Sequence, residues 1–175
     1  DVGLLGKPNS GKSSLVNAVS SANPKIADYE FTTLKPSLGV VDYSSDKGFV
    51  ISDIPGLITG ASKGIGLGFQ FLKHLSRTRL ILQMIDVEGK ETKDIEEESQ
   101  VLLLELREYD VNLTEKVKWL VLNKIDLIPK EKQMELKEYF DKQQDLEVSL
   151  ISAKNRIGTE NLMKEVGFTL EKIDE

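Results

Sequence analysis

The 175-residue sequence predicts a three-layer α/β domain, with a mostly parallel six-stranded sheet and helices on both faces. Three observations carry this expectation. Short apolar runs alternate with stretches whose apolar residues recur at helical spacing. The runs near residues 80–85 and 117–122 are apolar nearly throughout, as strands buried on both faces are. A glycine-bearing loop of the form G-x-x-x-x-G-K-S sits between the first strand and the first helix.

The elements follow in order. Val2, Gly3, Leu4 and Leu5 form a short strand, and Leu15, Val16 and Val19 mark the first helix after the loop. Residues 38–43 and 48–51 are two strands around the polar turn 44–47, the one antiparallel hairpin of the sheet. A buried strand at 80–85 leads to an acidic helix at 95–109 whose apolar face uses Val101, Leu102, Leu104 and Leu106. A strand at 117–122 precedes a helix at 130–142 that starts after Pro129. The last strand spans 146–151, and a closing helix spans 159–173 with Leu162, Val166 and Leu170 on one face.

Composition narrows the function classes. There are 23 basic and 29 acidic residues, a net charge of −6, which disfavours broad electrostatic binding to nucleic acid. No Cys and one His leave no zinc site of the usual kind. No apolar run reaches the roughly 18 residues that a membrane helix needs. The opening Asp1-Val2-Gly3 falls at once into a strand signal, which reads as the start of an excised fragment.

The chemistry lies at the strand ends. In Gly6-Lys7-Pro8-Asn9-Ser10-Gly11-Lys12-Ser13, successive backbone N–H groups and a helix N-terminus suit phosphate oxygens. Lys12 reaches the β- and γ-phosphates, and the Ser13 hydroxyl ligates Mg²⁺. Asp53-Ile54-Pro55-Gly56 closes another strand. Asp53 holds the metal through water, and the Gly56 N–H approaches the γ-phosphate. Between them, Phe31-Thr32-Thr33-Leu34-Lys35 offers a threonine hydroxyl to the metal and an order–disorder switch. Asn123-Lys124-Ile125-Asp126 is N-K-x-D. A carboxylate only accepts, so Asp126 suits guanine N1–H and the 2-amino group, while the Lys124 stem lies along the ring. Asn123 ties this loop to the phosphate loop, and the Ser152-Ala153-Lys154 backbone meets the base oxygen. Lys12 and Gly56 are the catalytic candidates and Ser13 and Asp53 the metal candidates, with Thr32 or Thr33 joining both sets.

With these motifs in place, the chain resembles a translation-factor-type GTPase domain, and more closely the G domain of the Obg (CgtA) family. Pro24-Lys25-Ile26-Ala27-Asp28-Tyr29, Phe31-Thr32-Thr33-Leu34, Pro36-Ser37-Leu38-Gly39-Val40-Val41, Asp53-Ile54-Pro55-Gly56-Leu57-Ile58, Gly64-Ile65-Gly66-Leu67-Gly68 and Phe71-Leu72-Lys73-His74 carry that resemblance. It implies one G domain over residues 1–175 and a missing N-terminal glycine-rich domain. It also implies a cytoplasmic protein, Thr33 as the metal-binding threonine, and the large ribosomal subunit as partner of the full-length protein. The isolated domain is expected to be a monomer. Leu57 stands where many relatives have Gln, which implies slow hydrolysis, and Asn9 marks a candidate K⁺ site at the phosphate loop.

Two rivals stay open at this level. One is a P-loop kinase or ATPase, opposed by Asn123, Lys124 and Asp126. The other is a module that senses GTP, GDP or ppGpp with negligible turnover, kept alive by Leu57. His74 is expected to be structural on a surface-spaced helix, Trp119 to pack in the core, and the acidic run 96–98 to be a solvated helix start. Lys73, Arg77 and Arg79 form a basic cluster, and the glycines at 60, 64, 66 and 68 a mobile segment.

Overall fold

A computed structural model describes residues 1–26, 35–54, 72–143 and 145–175. Its strands are β1 (Val2–Leu5), β2 (Lys25–Ile26), β3 (Ser37–Ser44), β4 (Lys47–Asp53), β5 (Leu80–Asp86), β6 (Val117–Asn123) and β7 (Glu147–Ile151). Its helices are α1 (Lys12–Val19), α2 (Thr92–Tyr109), α3 (Val111–Lys116), α4 (Lys130–Asp141) and α5 (Thr159–Asp174). Residues 72–75 are also helical. Among the described residues no helix is long and apolar enough to cross a membrane.

The strands form one sheet in the order β2-β3-β4-β1-β5-β6-β7. From β4 to β7 every pairing is parallel, and β3 pairs antiparallel with both β2 and β4. Among the described residues the sheet therefore has seven strands and not six. The additional strand, β2, has two exposed residues, too few for any periodicity to mark it in the sequence. Helix α3 is likewise short, and Asp110 starts it by accepting a hydrogen bond from the Asn112 N–H at 2.9 Å.

Period-two alternation sorts the side chains into layers. Val2, Leu4, Leu80, Leu82, Met84, Trp119 and Val121 face one side, against Leu15 and Val16 of α1 and Leu162, Val166 and Leu170 of α5. Leu5 and Ile81 face the other side, against Leu102 and Leu106 of α2. Ile85, Leu120 and Leu122 cover the same side beneath Leu136 and Phe140 of α4. Trp119 is in the core, 3% exposed. On α2 the buried stripe is narrower than the apolar content suggests: Leu102 and Leu106 are buried, while Val101 and Leu104 are more than half exposed.

Parallel pairing has a consequence for function. β1, β4, β5, β6 and β7 end on the same rim, so the loops that follow them gather there. Asp86 pairs with Asn123, which sets an acid beside an amide at the ends of β5 and β6, while Asp53 closes β4 in register with Leu4. Leu82, fully buried at the centre of the sheet, underlies this rim. Leu82→Ala is expected to lower the unfolding free energy by about 2–5 kcal/mol, read from denaturant titration with an unchanged m-value.

Candidate functional site

The site begins where β1 runs out. Gly6 is needed because a Cβ there would lie 2.6 Å from the Met84 carbonyl oxygen and 2.7 Å from Ser10 Oγ. Gly11 precedes α1 at φ +102°, and a Cβ there would meet Asn123 Nδ2 at 2.0 Å. Asn9 is also left-handed, at φ 67°. No side chain caps α1, so its first N–H groups are available to an anion.

Lys12 folds over this loop. Its ammonium donates to the carbonyls of Gly6 at 2.9 Å and Lys7 at 3.0 Å. Burial pushes its pKa down, and Asp53 partly offsets that. Asp53, at the end of β4, shows the reverse: burial raises its pKa and Lys12 opposes. Asp53 Oδ1 is buried without a hydrogen-bond partner among the described residues, and so is Ser10 Oγ. Ser13 is exposed at the start of α1, Lys7, Pro8 and Asn9 are exposed on the loop, and Ile54 is buried.

Asn123 joins three loops. Its Nδ2 donates to the Ser10 carbonyl at 2.9 Å, and its Oδ1 accepts from the Ala153 N–H at 3.0 Å. Lys124 takes a left-handed backbone at φ 70°, and its ammonium meets Asp86 at 2.8 Å. Ile125 is buried, and Asp126 is exposed on the 3-10 turn Ile125–Leu127, which Gln133 holds by donating to the Ile125 carbonyl at 2.9 Å. After β7, Ser152 is buried and closes a small loop with Ile157 by two backbone bonds of 3.0 Å. Lys154 is exposed on that loop.

Of the sequence-predicted residues, the phosphate-loop, N-K-x-D and S-A-K groups and Asp53 all lie on this rim. Lys35 is described and exposed. Phe31, Thr32, Thr33, Leu34, Pro55, Gly56, Leu57 and the glycines at 60, 64, 66 and 68 lie outside the described residues.

Sequence reasoning missed Asp86 and Glu98. Asp86 carries the signal that singled out Asp53, an acid closing an apolar strand. Glu98 lies in the acidic run expected to be solvated, yet it is 8% exposed. It stands three residues after Ile95 and four before Leu102, on the buried stripe of α2. It is tolerated there because its Oε1 pairs with Lys90 at 3.1 Å and with the phosphate-loop Lys7 at 3.4 Å. His74 is also buried and not surface-spaced; its pKa falls through burial, with Arg77 and Lys73 adding to the shift. Of the basic cluster, Arg79 pairs with Asp1 and Asp174.

Similarities to known proteins bear on this arrangement. The profile of the MMR_HSR1 family, described as 50S ribosome-binding GTPase, matches residues 1–124. The G domain of the T. maritima FeoB iron transporter superposes with a TM-score of 0.72 at 22% identity, over 99% of this chain and 98% of that one. The FeoB G domain from Methanococcus jannaschii gives a TM-score of 0.66 at 23% identity, over 97% and 96% of the two chains. An S. thermophilus NFeoB mutant bound to GDP gives 0.69 at 23% identity, over 96% of this chain and 61% of that one. At these identities the structures show a shared fold: a P-loop GTPase G domain. They correct the expectation of an Obg (CgtA) family member, since the structures similar along the chain are FeoB G domains. The physical reason is that the expectation rested on short local segments such as 24–29, 36–41 and 71–74, and short segments around a shared ligand site do not fix a subfamily. The large ribosomal subunit as partner rested on that resemblance and is dropped with it.

The Asp53 shift has a definite sign. Its folded pKa lies above the ordinary carboxylate value of 3.8, so the folded state favours the protonated form. The cost of its charge is absent below the ordinary value and complete above the raised one. In nucleotide-free protein without Mg²⁺, Asp53→Asn should therefore unfold at a higher temperature than wild type at pH 7. The gap should close as pH falls through the raised pKa, as thermal melts across pH would show.

Proposed function

We propose, for a chain that belongs to the MMR_HSR1 family of GTPases and hydrolyses GTP to GDP and phosphate, that the rim is its guanine-nucleotide site and that residues 1–175 act as one G domain. The observation that carries this reading is the Asn123 side chain, which fastens the phosphate loop to the base loops at 2.9 and 3.0 Å. A site for a base linked to a polyphosphate needs those loops at a fixed separation.

Residues 6–13 receive the phosphates, with Lys12 turning from the loop carbonyls to the β- and γ-phosphates. Ser13, Asp53 and Thr33 hold Mg²⁺. The fit rests on the donor chemistry and on Asp53 Oδ1, a buried carboxylate oxygen with no hydrogen-bond partner among the described residues. Mg²⁺ takes few protein ligands and completes its shell with water and phosphate. When bound, it neutralises charge developing on the phosphoryl oxygens. Thr33, Gly56 and the rest of 31–35 and 53–56 are assigned to the γ-phosphate by sequence order. Asn123, Lys124, Ile125 and Asp126 take the guanine, assisted by the backbone of Ser152, Ala153 and Lys154.

Leu57 cannot orient a water, so turnover is slow and the output is a conformational switch. The same residue supports the second reading, a sensor of GTP, GDP or ppGpp with negligible turnover alone. Single-turnover phosphate release separates the two.

Asp126 is the test of base choice. Asp126→Asn should weaken GTP by about 10²-fold or more and favour xanthosine triphosphate, measured by competition titration. Unchanged GTP-over-ATP selectivity in that variant would remove the base-site assignment. Asn9 carries the K⁺ expectation. Hydrolysis should be about tenfold or more faster in K⁺ than in Na⁺ at equal ionic strength, and equal rates would exclude the K⁺ site.

A further inference from the structure

The N-K-x-D lysine is held at both ends. Its backbone is fixed in the left-handed region at φ 70°, and its carbonyl accepts the Leu127 N–H at 3.0 Å. A left-handed lysine is strained and persists only where its surroundings determine it. At the other end, the ammonium donates to Asp86 Oδ2 at 2.8 Å. The two side chains are 29% and 22% exposed, so solvent screens this pair less than one at the open surface.

Asp86 is itself held in place. It closes β5 in register with Asn123, and its second oxygen accepts the Glu88 N–H at 2.8 Å. The next residue bonds back to β6, Val87 N–H to the Asn123 carbonyl at 3.1 Å. The carboxylate thus stands on two central strands and a closed turn. A free lysine stem samples many rotamers, and fixing it when a ligand arrives costs entropy. Here part of that cost is met in the folded protein, because the stem runs between a fixed backbone and a bonded ammonium.

We propose that Asp86 is a positioning residue for nucleotide binding: by holding the Lys124 ammonium it fixes the stem against which the guanine ring lies. The proposal rests on the nucleotide-site reading above. Asp86 touches neither base nor phosphate. It acts on the base end only, and equally for every guanine nucleotide, so it changes affinity without changing the chemical step.

The experiment uses the full chain and two probes, GDP and inorganic tripolyphosphate, which meets the phosphate loop but has no base. Asp86→Asn should raise the Kd for GDP by about tenfold and leave that for tripolyphosphate unchanged. In a Lys124→Met background the same substitution should have no further effect, since the residue it positions has lost its charge. Asp86→Ser, whose hydroxyl still accepts from Glu88, should repeat the GDP loss and guards against a simple collapse of the turn. An equal loss for both probes, an undiminished loss in the Lys124→Met background, or unaltered GDP affinity would each overturn the proposal. Wild-type protein that binds tripolyphosphate but not GDP would instead sink the nucleotide-site reading itself.

Discussion

One amide side chain sets the geometry of the rim. Asn123 is 2% exposed, and each end of its amide is spent on a different loop. An unsatisfied buried amide is costly, so three chain segments must converge for this residue to be tolerated. The parallel sheet makes that convergence possible by delivering the ends of β1, β6 and β7 to one side. Gly11 completes the arrangement, because any Cβ there would occupy the place of the Asn123 nitrogen. The glycine that curls the loop and the asparagine that anchors it therefore form one device, although 112 positions separate them.

The same rim carries electrostatic tension. Lys12 and Asp53 are both shifted toward their neutral forms by burial, and each partly relieves the other. Glu98 adds a carboxylate on the apolar stripe of α2, answered by lysines from two loops. Buried charges of this kind contribute little to net stability. Their presence beside the phosphate loop fits a site organised around a charged ligand.

Most of the architecture was legible in the sequence because long buried strands and amphipathic helices announce themselves by period. β1, β5, β6 and α5 fall within a residue or two of where apolar spacing places them. The two-residue β2 was invisible, since alternation needs several residues to register. The loops of the site were legible through residue types with narrow chemistry, such as N-K-x-D. The supports of those loops were not. Asp86 and Glu98 are ordinary acids until tertiary structure sets one opposite Lys124 and the other opposite Lys7 and Lys90. Helical phase would have exposed Glu98, but the flanking Glu96 and Glu97 masked it. Subfamily was the least legible property, because motifs bound to a shared ligand chemistry carry little record of what else a chain does.

At the far end of the sheet, β7 pairs only with β6 among the described residues. Its Val148 carbonyl is occupied by the Lys137 ammonium at 2.8 Å. Open strand borders invite neighbouring copies to continue the ladder, and a lysine posted there is a known deterrent. A second chain approaching along this border meets a cation already seated on one of its acceptors. Crowded copies are thereby discouraged from fusing edge to edge, and this protection comes from a residue of α4.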